Sequence, residues 1–161
     1  GYMAQAVADT AELHALALIA PWLHTPEISA EIYGGAEAAQ QLRAAAISAQ
    51  SVAQPQLMVA ASASDEAARM YQAPYYTEAD RGLIESYDNQ FNVASWEGWV
   101  TYDAQTSADQ LAQPTLIVCS EAAALPAGAH AYAERTTAPL TQLWLDDVNQ
   151  FDFYDRGDVV T

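Results

Sequence analysis

The chain has 161 residues, and its five basic residues, all arginine, face 21 acidic ones, for a formal net charge of −16. A field of that sign repels phosphate backbones and anionic headgroups, so neither nucleic acid nor a membrane surface is expected as a partner. The length suits a single domain over residues 1–161, and the 52% of apolar residues are enough to build a core.

Residues 2–9 read as a helix: Met3, Ala6 and Val7 share a face, and Asp9-Thr10 ends the pattern. His14 to Pro21 is a compact apolar run that stops at proline, the signature of a buried strand, with Trp22-Leu23-His24 just past its carboxyl end. Thr25-Pro26-Glu27 is a helix start, and the short helix it opens runs to about Tyr33, where Gly34-Gly35 breaks it. A strong Ala/Gln-rich helix follows over 36–50. Residues 54–60 suggest a loop or connecting strand, and Ser64 or Asp65 is placed to cap a helix containing Ala67–Tyr71. Pro74–Thr77 is a turn, and roughly 81–90 is expected to be helical. An aromatic group follows at Phe91, Trp96, Trp99 and Tyr102.

Pro114 launches a second apolar strand over Thr115–Cys119, Pro126 to Arg135 reads as the next helix, and Thr141–Leu145 is a third strand. That strand ends abruptly in Asp146-Asp147. A polar turn and the Phe151–Asp155 cluster then start a last helix, where Asp152 and Asp155 read as caps or as pocket-facing carboxylates and Tyr154 as core. Three strands alternating with helices, with a long helical insertion at about 25–104, predict an α/β fold with a parallel sheet. Three such strands leave an unpaired apolar edge, so something else is expected to complete the sheet. In open α/β sheets ligands gather outside the carboxyl ends of the strands, which directs attention to the loop after Leu145.

Cys119 is the single cysteine, so no internal disulfide forms. No CxxC or Cys/His cluster suggests zinc, and neither metal nor cofactor is expected. The reading is a cytoplasmic protein: no apolar run reaches the length of a membrane span and no basic-headed signal peptide is visible.

Several segments together resemble the dienelactone-hydrolase-like α/β-hydrolases. They are Pro21-Trp22 with Leu23-His24, IYGG at 32–35, ASASDEAARM at 61–70 with Tyr75-Tyr76, SWEGWVTYDA at 95–104, PTLIVCSEAAALP at 114–126 and QFDFYD at 150–155. The resemblance implies the C-terminal half of that fold, with the helical insertion as a lid. Its last catalytic loop carries a histidine base where this chain has Gln150, which cannot take a proton at neutral pH. The triad acid follows the strand at 115–119, where alanine replaces the usual aspartate and Glu121 is the only carboxylate of the loop. Gly1-Tyr2-Met3-Ala4, leading into a helix, resembles the last glycine of a G-x-S-x-G nucleophile elbow. The nucleophile and oxyanion-hole donors would then lie upstream, in an N-terminal half paired with this one after cleavage at the elbow. The other reading of Gly1 is a chain cut from something longer.

Each candidate has two readings. Glu121 is a substitute acid or ligand contact, or it caps the following turn. Gln150 orients a substrate carbonyl or holds its loop. His24, past the first strand, can face the site and supply an imidazole, whereas His14 and His130 read as structural or exposed. Cys119, at a strand end, reads as a nucleophile lacking an obvious histidine partner or as a buried, inert thiol. Tyr75, Tyr76, Trp96 and Trp99 in the insertion, with Tyr2, are assigned to a small-molecule substrate, against ordinary packing. The implied activity is on an ester, thioester or related small acyl metabolite. The altered base and acid positions favour a non-hydrolytic outcome such as cyclisation or rearrangement. The alternative is a ligand-binding protein that has lost its triad.

Overall fold

The computed structural model describes residues 1–10 and 12–160. Along the chain run α1 (Tyr2–Ala8), β1 (Leu16–Ile19), α2 (Pro26–Ile32), α3 (Ala36–Gln50), β2 (Leu57–Val59), β3 (Ala61–Ser62) and β4 (Met70–Tyr71). A 3-10 turn at Pro74–Tyr76, β5 (Gln90–Asn92), a second 3-10 turn at Val93–Ser95 and α4 (Trp96–Thr101) follow. The chain ends with β6 (Thr115–Cys119), α5 (Pro126–Arg135), β7 (Leu140–Trp144), α6 (Asp152–Asp155) and α7 (Gly157–Val160). These elements divide into two compact units, Gly1–Ser29 with Tyr102–Thr161, and Ala30–Thr101.

The first unit is an α/β structure built on a parallel sheet in the order β1-β6-β7. Leu18 pairs with Ile117 and Ile117 with Gln142, so alternate residues of all three strands share a face. On one face Leu16, Leu18, Ile117 and Cys119 are buried beneath Ala4 and Val7 of α1 and Ala129 and Tyr132 of α5. Gln113 fastens α1 to this layer, its Nε2 donating to Val7 O at 3.1 Å and Thr10 O at 2.9 Å. On the opposite face Val148, Phe153 and Val159 pack against Ala20, Val118 and Leu145 only at the carboxyl end. Ile19 stays 60% exposed and Leu143 51% exposed there.

Burying such side chains fully is worth about 1.5–3 kcal/mol each. Parallel sheets ordinarily have both faces covered. This one leaves apolar surface open on that face, and among the described residues β1 and β7 stand as its edge strands.

Glycine at 128 lets α5 approach the loop after β1. A Cβ there would lie 2.5 Å from the backbone oxygen of Leu23. Buried Gln105 ties the same junction, with Nε2 donating to Leu23 O at 2.7 Å and to Gly128 O at 3.0 Å.

In the second unit, α2 gives way to α3 through Gly34 and Gly35, whose φ values of +97° and +104° favour residues without a Cβ. Ala46 of α3 meets Trp96 and Val100 of α4 in a small core, with Leu42, Met58, Phe91 and Trp99 around it. The insertion is helical in α2, α3 and α4 but also carries two small ribbons, β2 with β5 antiparallel and β3 with β4 parallel.

Two expected helices are therefore corrected. Ala67–Tyr71 ends in β4, not in a helix, because Asp65 closes a local turn by accepting from Ala67 N at 2.9 Å and Ala60 O accepts from Met70 N at 2.8 Å. The segment at 81–90 forms turns leading into β5. There Asn89, in the left-handed region at φ +53°, uses its side chain to pair with both Ala61 N (2.8 Å) and Ala61 O (2.9 Å).

Candidate active site

The loops at the carboxyl ends of β1, β6 and β7 converge on Gln150. Its Nε2 donates to Ala20 O at 3.1 Å and to the Tyr154 hydroxyl at 2.8 Å, while Oε1 accepts from Ala124 N at 3.1 Å. One amide thus joins the loops that follow all three strands. Ala20 itself has φ +43°, a left-handed conformation that is unfavourable for a residue with a Cβ. Here it turns the carbonyl that Gln150 holds. Asp152 braces the same turn from below, accepting from Asn149 N at 2.9 Å and pairing with Arg156 at 3.3 Å.

Glu121, in the loop after β6, lies 2.7 Å from His130 Nε2, whose ring stacks on Trp144 with centroids 3.9 Å apart and 7° between planes. Sequence reasoning put Glu121 forward and set His130 aside. The structure joins them into an exposed carboxylate–imidazole pair, nine residues apart across the start of α5. Chemically the pair can hold an imidazole in one orientation and move a proton at its ring nitrogen.

His24 is buried at 4% exposure and its backbone O accepts from Ala104 N at 2.9 Å. It belongs to an aromatic group: Tyr102 lies 6.1 Å from its ring centroid and Trp22 6.4 Å. Tyr2 stacks on Tyr102 at 4.0 Å, so the structure brings Tyr2 and His24 into one cluster. Gly1 wedges beside it, where a Cβ would lie 2.7 Å from Ala104 Cβ and 2.8 Å from Tyr102 Cε1. Cys119 is buried, and burial, with the Glu121 charge adding to it, pushes its thiol above the usual range. Such a thiol is a poor nucleophile.

The insertion aromatics fall into two groups within their own unit. Tyr75 and Tyr76 meet edge to face at 5.1 Å, with Tyr87 6.1 Å from Tyr76 and the Arg81 guanidinium 5.9 Å from the Tyr75 ring centre. Trp96 and Trp99 instead surround Arg69, which sequence reasoning missed. Its signal was there: a lone cation among alanines in a chain with five.

Among the described residues no group of His, Cys, Asp and Glu could hold a metal ion, and no helix is long and apolar enough to cross a membrane.

The sheet order, the loop convergence and the flanking helices give this chain the fold of the α/β-hydrolases, as its structural neighbours show. The hypothetical protein PA2218 from Pseudomonas aeruginosa matches with a TM-score of 0.76 at 16% identity, covering 98% of this chain and 53% of that one. DcsB, solved in complex with its substrate analogue, gives 0.70 at 16% identity over 98% of this chain and 56% of its own. The α/β hydrolase GrgF from Penicillium sp. sh18 gives 0.66 at 14% over 98% and 54%, and a Paleococcus ferrophilus monoacylglycerol lipase gives 0.57 at 11% over 99% and 58%. The chain thus spans somewhat over half the length of the structures it matches. No protein-family model matches the sequence, and no curated protein matches it.

Proposed function

We propose that this chain is the C-terminal half of a dienelactone-hydrolase-like α/β-hydrolase-fold enzyme acting on an ester, thioester or related small acyl metabolite. An N-terminal half, continuous with it or paired after cleavage at the elbow, supplies the nucleophile and oxyanion hole. The observation that carries this reading is the open apolar face of the β1-β6-β7 sheet, where Ile19 and Leu143 meet solvent although a parallel sheet calls for cover. Gly1 supports the elbow assignment, since its crowding against Tyr102 and Ala104 requires a residue without a Cβ. The acyl substrate class is supported by the neighbouring monoacylglycerol lipase. A cytoplasmic site of action suits a lone, reduced thiol.

The outcome we propose is cyclisation or rearrangement ahead of ordinary hydrolysis. Gln150 cannot accept a proton and both its amide hydrogens and its oxygen are engaged, so it holds loops where a base would otherwise activate water. The proton-transfer role passes to the Glu121–His130 pair or to His24.

The same saturation of Gln150 favours the second reading, a ligand-binding protein without turnover. Two measurements on the protein purified from its own cells decide between them. Denaturing intact mass is expected to show a longer chain, or a second polypeptide ending at an elbow motif. The same preparation is expected to turn over acyl thioesters until a serine- or cysteine-directed reagent stops it. A lone species of this mass without turnover overturns the enzyme reading, and tight ligand binding without turnover supports the second.

A further inference from the structure

Arg69 sits in an aromatic box inside the second unit. Its guanidinium carbon is 4.5 Å from the ring centre of Trp99, 4.7 Å from Trp96, 4.9 Å from Tyr33 and 5.8 Å from Phe91. The box is itself braced, with Trp99 Nε1 donating to the Tyr33 hydroxyl at 3.0 Å and Trp96 edge-on to Tyr33 and Phe91. Arg69 Nε is buried without a hydrogen-bond partner. Arg43, Arg135 and Arg156 each pair with a carboxylate, but among the described residues none pairs with Arg69. In a chain with 21 acidic residues that is an unusual place to leave a cation unneutralised.

Burial lowers the guanidinium pKa from its ordinary value, yet arginine remains charged at any physiological pH. Four aromatic rings offset part of the desolvation, but they satisfy no N–H.

The side chain lines a cavity of about 400 Å³. Its other walls include Ala38 and Leu42 of α3, Met58 of β2, Ala68 and Trp96, with Gln41 as a polar neighbour. Such a space offers an apolar body with one cationic end. A phosphate dianion would ask for a second cation or a nest of backbone N–H groups, and neither is among the lining residues. A monocarboxylate needs one charge and matches the planar fork. The ligand chemistry is thus an amphipathic acid with its carboxylate toward Arg69 and its aliphatic chain along Leu42 and Met58.

We propose that this cavity is a binding site for a short aliphatic carboxylic acid, anchored by Arg69 and walled in part by Tyr33 and Trp96 of the aromatic box. It lies wholly within the second unit and does not depend on the acyl chemistry proposed above.

The test uses hexanoate and its neutral isostere hexanamide in titration calorimetry at pH 7. Hexanoate is expected to bind one to one and hexanamide about tenfold more weakly or worse, the difference a charge-assisted bond makes. Arg69→Gln is expected to bring the two ligands to the same weak affinity. Arg69→Lys keeps the charge, loses the fork and should retain part of the preference. Ala38→Phe, which blocks the cavity but leaves Arg69 in place, should abolish binding of both and serves if Arg69→Gln fails to fold. Equal affinity for acid and amide in the natural protein, no saturable binding of hexanoate, or unchanged hexanoate binding in Ala38→Phe each overturns the proposal.

Discussion

At Gln150 a single side chain substitutes geometry for chemistry. An imidazole has two ring nitrogens and can serve at most two partners, whereas this amide serves Ala20, Ala124 and Tyr154 together. Gln150→Ala would leave the Ala20 carbonyl and the Ala124 amide to find water in a half-buried loop. It should cost about 1–3 kcal/mol, read as a lowered melting temperature by calorimetry. Gln150→His should recover only part of that loss. The polar character of this position was legible in the sequence, but its three partners were not. Tyr154 is four residues on, but Ala124 and Ala20 come from loops 26 and 130 residues away, and no local spacing encodes those two. Glu121 and His130 went unpaired for a related reason: the link needs the loop after β6 to fold back over the first turns of α5.

The main elements lie where the pattern of apolar residues is unambiguous. β1 and β6 are continuous apolar runs ended by Pro21 and preceded by Pro114, and α3 is a long stretch of strong helix formers, so their existence followed from composition alone. The ribbons of the insertion did not. Ala67 and Ala68 have high intrinsic helix propensity, but Asp65 and the pairing of Met70 with Ala61 outweigh it over so short a segment. Likewise 81–90 holds turn-forming Gly82 and Asn89, whose side chain does the work of a strand partner.

The junction most sensitive to substitution is α5 on the loop after β1. Gly128→Ala would set a methyl 2.5 Å from a backbone oxygen that Gln105 also holds, so the helix must move rather than a rotamer. We expect a loss of about 1–3 kcal/mol by urea titration, with far-UV circular dichroism unchanged. Gly157→Ala, where a Cβ meets nothing within 4 Å, is the control and should cost far less.

At the scale of the whole molecule, the titrating groups with resolved shifts in the core give the chain an alkaline limit. Burial holds the phenols of Tyr33, Tyr102 and Tyr132 above their ordinary value, and the Cys119 thiol likewise. In each case the neutral form is the one the fold prefers. The stability this contributes is whole below the unfolded values, about 8.5 for the thiol and 10 for the phenols, and is lost as pH rises through the folded ones. Melting temperature should therefore fall progressively above about pH 9. The decline should be shallower in Tyr132→Phe, which removes the fully buried phenol and its 2.8 Å bond to Ser107. A decline identical in the variant would show that Tyr132 has no part in it.

The uncovered face of the parallel sheet carries a thermal consequence. Apolar surface withdrawn from water leaves a negative heat-capacity change, and the force that withdraws it weakens on cooling. If the upstream half proposed above covers Ile19 and Leu143, it should hold less firmly in the cold than at room temperature. Purification on ice would then be the condition under which this chain most readily parts from its cover.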